Sequence, residues 1–368
     1  MAATYTRYLA DSRRSGFIRQ RSNATGELVW KKPAAAEEEP SAEIRALLCP
    51  GNQVIVDGMN EIYAFDRSGI RQWKRSKFYG SPVAIQDDRI HFLNAGGKHC
   101  FDSVDLTNRV QYQRMPVPGM MARAHVTLFE PYKEGLVAQV QDQGVIEDSP
   151  PNFLVYNAPF QGLGFRWCTL FDAATSPIQP LVSWEHRRVI TSPGSEVVVY
   201  DLDGTRREPE PLARFPFPLA DPFPRVSCGD DGLLYWCGSG DKGLELVVTD
   251  MDGKEIWRWS SQGKAVAAVT WPIVGNGMLY ILTASTLFAF KDGKLLWRYY
   301  PDKASFCHAT ALGDGSVLIT DGPILHRTRE DGSSAFVLDF EDMLVAPPII
   351  DELGRIYVAG KETLYALD

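Results

Sequence analysis

A hairpin signature recurs along this chain at a spacing near 40 residues, and it restricts the fold more than any other feature. Glu61 to Trp73 reads EIYAFDRSGIRQW, Leu246 to Trp257 reads LVVTDMDGKEIW, and Thr286 to Trp297 reads TLFAFKDGKLLW. In each, apolar residues alternate, a tight turn closes on glycine, and a short second run ends in tryptophan. Two period-2 runs around a D-G-type turn predict a β-hairpin. Weaker copies are Phe101 to Tyr112, Val198 to Thr205 and Leu325 to Phe336, with an irregular one from Phe153 to Trp167. The turn positions are Gly26, Gly69, Asn108, about Gly164, Gly204, Gly253, Gly293 and Gly332, with successive spacings of 43, 39, 56, 40, 49, 40 and 39. A second strand pair precedes the hairpins, as in Ser81 to Leu93, Trp271 to Leu282 and Pro347 to Val358. Two hairpins per repeat make one four-stranded propeller blade.

The two ends of the chain complement each other. Thr363 to Asp368 (TLYALD) is a third strand with neither turn nor fourth strand, and Ala24 to Trp30 (ATGELVW) is a turn and fourth strand with no third. Joined, they read as one more hairpin, with a spacing of 39 across the join. Closing a ring in this way removes sheet edges that would otherwise template aggregation. The expectation is therefore all-β: an eight-bladed propeller of four-stranded antiparallel blades over residues 24–368. Its closure blade combines 343–368 with 24–32. Residues 1–23 form a basic extension, with Arg7, Arg13, Arg14, Arg19 and Arg21 against Asp11. That extension either stays solvated, contacts an anionic partner, or folds back onto the ring.

An aromatic follows the turn by four residues at Trp30, Trp73, Tyr112, Trp257, Trp297 and Phe336. Regular spacing favours packing between blades, about 2–3 kcal/mol for each ring, over stacking on a carbohydrate or nucleotide. These repeats resemble the quinoprotein-like (PQQ-binding-like) family, whose blades carry A-x-D-x-x-x-G-K-x-x-W. The matching stretches are Ala64 to Trp73, Val248 to Trp257, Ala289 to Trp297, and the split pair Ala366 to Asp368 with Ala24 to Trp30. The turns here are one or two residues shorter than that pattern. The resemblance implies the propeller and the docking role of the tryptophan; it specifies fold better than function. One branch of the family, the quinone-dependent dehydrogenases, implies a cofactor with Ca²⁺ and often adjacent cysteines. This chain has no Cys-Cys pair, so no catalytic residue carries over. The other branch, the outer-membrane-assembly lipoproteins, implies a binding scaffold. No lipobox or leader is evident here, so that resemblance stops at the architecture.

A net charge of -8 argues against a nucleic-acid footprint over the whole surface. No apolar run reaches the length of a membrane span, and no signal-peptide core is evident, so the expected location is cytoplasmic. The six cysteines are scattered, with no C-x-x-C pair, and read as buried thiols. D-L-D-G at 201–204 and D-M-D-G at 250–253 read as hairpin turns rather than Ca²⁺ loops, since the bidentate Glu is absent. No metal site is expected, and no cofactor, with quinone or Ca²⁺ as the only alternatives.

In a propeller, the loops after the second and fourth strands share one face, and the insertions concentrate there. They are Gln141 to Asn152, the Pro/Phe-rich Pro209 to Pro224, and Gly238 to Gly243. Candidate binding residues on that face are Lys98, His99, Trp271, Arg214, Phe215, Phe217 and Phe223. His125 and His308 enter innermost strands near one channel mouth, with Arg123 and Cys307 beside them. They are the candidate acid/base groups if the protein is a lyase or hydrolase. The leading expectation is a non-catalytic, monomeric propeller that binds a protein or peptide. Catalysis at the channel mouth and quinone binding are the alternatives.

Overall fold

A computed structural model describes residues 17–36, 43–77, 83–86, 89–93, 101–105, 107, 110–113, 124–132, 135–142, 153–159, 167–171, 180–183, 185–192, 196–204, 209–221, 224–241, 243–263, 268–301 and 305–368. All regular structure among them is β. The strands form seven four-stranded antiparallel sheets and one five-stranded sheet. Each sheet is named below by the residues its strands span: 46–76, 83–113, 124–171, 181–216, 225–260, 273–299, 306–339, and a closing sheet.

The first strands of successive sheets approach one another: Leu181–Ser183 beside Arg225–Cys228, then Ile273–Gly275, then Phe306–Leu312. These four sheets thus point their first strands inward and their fourth outward, which is the radial plan of a β-propeller. Side-chain bonds fasten the inner strands. Ser227 Oγ donates to the Pro272 carbonyl at 2.7 Å, and Thr310 Oγ donates to the Pro348 carbonyl at 2.7 Å.

The repeated turn follows from its residues. Asp66 Oδ1 accepts the backbone N–H groups of Ser68 (2.9 Å) and Ile70 (3.0 Å), and Asp250 Oδ1 accepts those of Asp252 (3.0 Å) and Lys254 (2.8 Å). An Asp carboxylate that satisfies two turn amides fixes the loop locally. Gly69 and Gly332 adopt φ of +80° and +82°, a region L side chains rarely occupy.

These turns are also docking points for the preceding sheet. The Trp30 ring lies over Gly69, where an added Cβ would come within 2.9 Å, and Trp30 Nε1 donates to the Arg67 carbonyl at 2.9 Å. Trp297 repeats the arrangement on Gly332, with a 2.6 Å approach and an Nε1 bond of 2.8 Å to the Glu330 carbonyl. Trp257 covers Gly293, and Phe336 with Leu338 covers Gly26. The aromatic at the fourth position after the turn is therefore an inter-sheet plug.

The closing sheet is ordered Leu28–Pro33, Thr363–Leu367, Ile356–Ala359, Ile349–Ile350. Antiparallel partners include Leu28 with Leu367, Trp30 with Ala366, and Pro33 with Thr363. Buried Leu364, Tyr365, Ala366 and Leu367 join the cluster that also holds Ile350, Ile356 and Tyr357. A polar seam binds this sheet to the 46–76 sheet. Arg67 Nε pairs with Asp351 Oδ2 at 2.8 Å, Arg355 donates to the Arg67 carbonyl at 2.8 Å, and Arg355 forks onto the Asp368 carboxylate.

Three expectations need correction. First, the blades are not uniformly four-stranded and antiparallel. Phe17–Ile18 adds as a fifth strand, parallel to Phe306–Leu312, pairing Phe17 with Ala311 and Ile18 with Leu312. The physical reason is burial: Ile18 is 2% exposed against Leu312 and its neighbours. Residues 17–23 therefore run on the ring; residues 1–16 lie outside the described residues. Second, Pro209 to Pro224 is not one loop, because Ala213–Pro216 is the outer strand of the 181–216 sheet. Phe215 is buried and lies over Gly253, within 2.4 Å of an added Cβ. It takes the plug role, displaced along the chain by the insertion after Gly204. Third, Gly238 to Gly243 is largely strand, in the hairpin of Leu234–Gly240 with Gly243–Thr249.

Candidate binding site at the inner-strand entrances

Two consecutive inner strands begin with residues unlike the aliphatic core. Trp271, half-buried, precedes Ile273–Gly275, and the Arg225 guanidinium lies 5.6 Å from its ring centre. Arg225 also donates to the Ala268 and Thr270 carbonyls, which hold it against the indole. An aromatic face under a guanidinium is a cation–π pair, about 0.5–2 kcal/mol depending on exposure. In the next sheet, Cys307 is exposed and His308 half-buried at the start of Phe306–Leu312.

His308 is held as a neutral imidazole. Burial pushes its pKa down to about 4, opposed by a hydrogen bond with the Val345 backbone. That bond ties the inner strand to the approach of the closing sheet, so His308 serves as a structural link. His326 is likewise depressed by burial, against the opposing influence of Asp321; its Nδ1 lies 3.0 Å from Tyr299 Oη. His91, 3% exposed, is pushed to about 3 by burial and then by Arg89.

These shifts carry a sign. A histidine whose folded pKa lies below its unfolded value of about 6.5 is neutral in the fold. The unfolded chain then takes up more protons below that pH, and stability falls. Asp57 works the other way. Burial raises it to about 6 despite Lys77 at 3.1 Å, so its own penalty is relieved on acidification. Three histidines outweigh one carboxylate. Acidification from pH 6.5 to 4 is expected to cost a few kcal/mol of unfolding free energy, measured by denaturant titration at each pH. A flat profile over that window would show that these imidazoles are protonated in the fold.

The other candidate residues divide into two groups. His125 lies on Ala124–Tyr132, paired with Gln141, and only its backbone position is described. Lys98, His99, Arg123 and Phe223 lie outside the described residues. Phe215 and Phe217 are packing residues; Phe217 meets Trp236 edge-on at 6.1 Å. Arg214 is exposed on the outer strand, 3.9 Å from Glu196. Trp271, Cys307 and His308 thus begin adjacent inner strands, whereas Arg214, Phe215 and Phe217 sit at the outer rim and between sheets.

Arg225 was not singled out in the sequence, and nothing in the repeat marks it. Arg327 was also missed, although the repeat does mark it. It faces Phe336 in register, where Ala64 faces Trp73, Ala289 faces Trp297 and Ala366 faces Trp30. An Ala-to-Arg departure, coupled with Trp-to-Phe, signals a local job other than docking. Among the described residues, no group of three or more His, Cys, Asp and Glu could hold a metal ion. Nor is any helix among them long and apolar enough to cross a membrane.

No family model matches the chain, and no curated protein matches it. Among solved structures, it is similar to the computationally designed Ika8 protein, with 11% identity over 91% of this chain and 99% of that one, and a TM-score of 0.66. It is also similar to BamB from Moraxella catarrhalis, with 11% identity over 93% and 97% of the two chains and a TM-score of 0.56. At such identities the likeness is one of fold alone.

Proposed function

We propose that the protein is a non-catalytic scaffold, an eight-bladed propeller with one blade per sheet, that binds a protein or peptide at the mouth where the inner strands begin. The observation that carries this reading is the Trp271–Arg225 pair. Its two residue types dominate binding energy at protein interfaces, and neither belongs to the repeated docking set. The docking aromatics Trp30, Trp257 and Trp297 are already used between sheets. His308, lowered in pKa by burial and bonded to the Val345 backbone, supports a structural rather than an acid/base role at this mouth. The likeness to BamB supports the fold on which such a scaffold would be built.

The test is site-specific photocrosslinking in cells of origin, with the crosslinker at position 271 and, separately, at outer-strand position 296. The reading expects a discrete protein or peptide adduct at 271 only. Arg225→Ala should weaken capture about tenfold, and the folded state should be retained by circular dichroism. Equal capture at both positions, or capture indifferent to Arg225, would sink it.

A further inference from the structure

The inner edge of Phe306–Leu312 carries a feature that the binding mouth does not need. This strand begins at the mouth and ends about 20 Å away, at the Gly313–Gly315 turn. There the segment 17–24 lies on it. Phe17 and Ile18 pair with Ala311 and Leu312, the Gly313 amide donates to the Gln20 carbonyl at 2.7 Å, and Ser22 Oγ donates to the Gly354 carbonyl at 2.5 Å. The track has been cleared for a backbone. A Cβ on Gly275 would fall 2.0 Å from the Phe17 ring, and one on Gly313 would fall 1.9 Å from the Arg19 carbonyl oxygen.

Arg327 closes the track. Its guanidinium, in a residue 7% exposed, donates to the Ser22 carbonyl at 2.5 Å and the Ala24 carbonyl at 2.8 Å, and pairs with Asp314 at 3.0 Å. A buried guanidinium that uses peptide carbonyls as acceptors is left under-satisfied when they depart. This end of the track therefore favours a bound backbone, while side-chain choice falls to the Phe17 and Ile18 positions, where a ring packs on Gly275 and an apolar side chain is buried in the cluster that holds Leu312. The hold on the segment is uneven. Among the described residues Phe17 and Ile18 pair in the sheet, the Arg19–Asp230 ion pair at 3.2 Å is largely solvent-exposed, where such pairs contribute little, and the buried bonds gather at Ser22 and Ala24.

We propose that this track is a strand-addition site for an extended peptide, and that residues 17–24 are its exchangeable occupant in cis. A partner peptide with two adjacent apolar residues followed by a basic, polar stretch would add to Phe306–Leu312 in the same parallel register. This deepens the reading of the protein as a peptide-binding propeller and rests on it, but it uses the end of the strand opposite to Trp271.

The experiment uses a fluorescent peptide of residues 15–24 and the full-length chain. Wild type, whose track is filled, is expected to bind it weakly. Ile18→Asp, which ejects the resident strand, is expected to bind at least tenfold more tightly. A peptide carrying the same Asp should not bind, and Gly313→Ala in the Ile18→Asp chain should abolish binding. A folded Ile18→Asp chain that binds no better than wild type would overturn the proposal, as would equal binding of the Asp-bearing peptide. If Ile18→Asp does not fold, hydrogen exchange on wild type decides. The Gly313 amide should exchange at least tenfold faster than amides within Val317–Asp321, because the strand leaves before the ring opens. Equal rates would show a fixed strand and overturn the proposal. Because crosslinking at position 271 reads the other mouth, a failed peptide experiment leaves the scaffold reading standing, and the reverse also holds.

Discussion

A chain ending at Glu362 should have no cooperative folded state. The lost residues, Thr363 to Asp368, include the second strand of the closing sheet, which lies between Leu28–Pro33 and Ile356–Ala359. Removing an edge strand trims a sheet; removing this one leaves the N-terminal strand with no partner in that sheet. Leu364, Tyr365 and Leu367 are at most 3% exposed, and their burial alone contributes on the order of 6–8 kcal/mol. Arg355 would also lose its carboxylate at Asp368, and Gly26 and Glu27 would lose the Asp368 carbonyl that accepts both their amides. Set against a typical stability of about 5–15 kcal/mol, the deficit is fatal. Thermal melting followed by circular dichroism should show no sigmoidal transition, and size exclusion should show an expanded or aggregated chain. Leu364→Ala is the graded version, with an expected loss of about 2–5 kcal/mol. A truncated chain that still melts cooperatively near the wild-type temperature would mean that the ring does not depend on its C-terminal strand.

The second large effect is expected at Trp297. Its ring plugs the Gly332 turn, its Nε1 bonds the Glu330 carbonyl, and it meets Tyr280 at a centroid separation of 5.9 Å. Trp297→Ala removes the ring and leaves a cavity between two sheets, at a cost of about 3–5 kcal/mol. Leu296, one residue earlier, is 52% exposed, and its replacement by Ala should change stability by no more than about 0.5 kcal/mol. Urea titrations of the two variants measure the contrast. Similar losses at both positions would contradict the plug assignment, since adjacent strand residues point to opposite sides.

Much of this architecture was legible because one chemical device repeats. An Asp-led turn, a left-handed glycine and an aromatic four residues on leave the same trace wherever a sheet docks onto the next. The complementary termini could be joined because the third strand and its turn obey that same pattern. Legibility failed where the pattern is interrupted. Phe215 sits eleven residues after Gly204, so counting from the turn could not find it, and its prolines suggested a loop. The strand at Phe17–Ile18 is two apolar residues in an arginine-rich run; their burial depends on the inner edge of a strand almost 300 residues later. No local period announces such a contact.

The candidate site was legible only in part. Trp271 just precedes Ile273–Gly275, and Cys307 and His308 lie at the start of Phe306–Leu312; strand entrances of this kind follow from the repeat. Their roles do not, since protonation and partnering depend on neighbouring sheets. His308 looks like an acid/base group in sequence; burial lowers its pKa to about 4, against the opposing pull of its bond with the Val345 backbone, and that bond gives it a structural place. Arg327 could have been found by asking where a small residue that faces the docking aromatic had been replaced.

The shared sheet of the two termini is tested most directly by a cysteine pair at partnered positions 33 and 363. These residues lie opposite each other at the end of the pairing, where partnered Cα atoms are about 4.5–5.5 Å apart and a disulfide fits with little adjustment. The doubly substituted protein, Pro33→Cys with Thr363→Cys, should form an intramolecular bond between those residues under mild oxidation, identified by peptide mapping and with the melting temperature retained. If both thiols stay free, or pair only with native cysteines or with another molecule, the ring is not closed by its two ends.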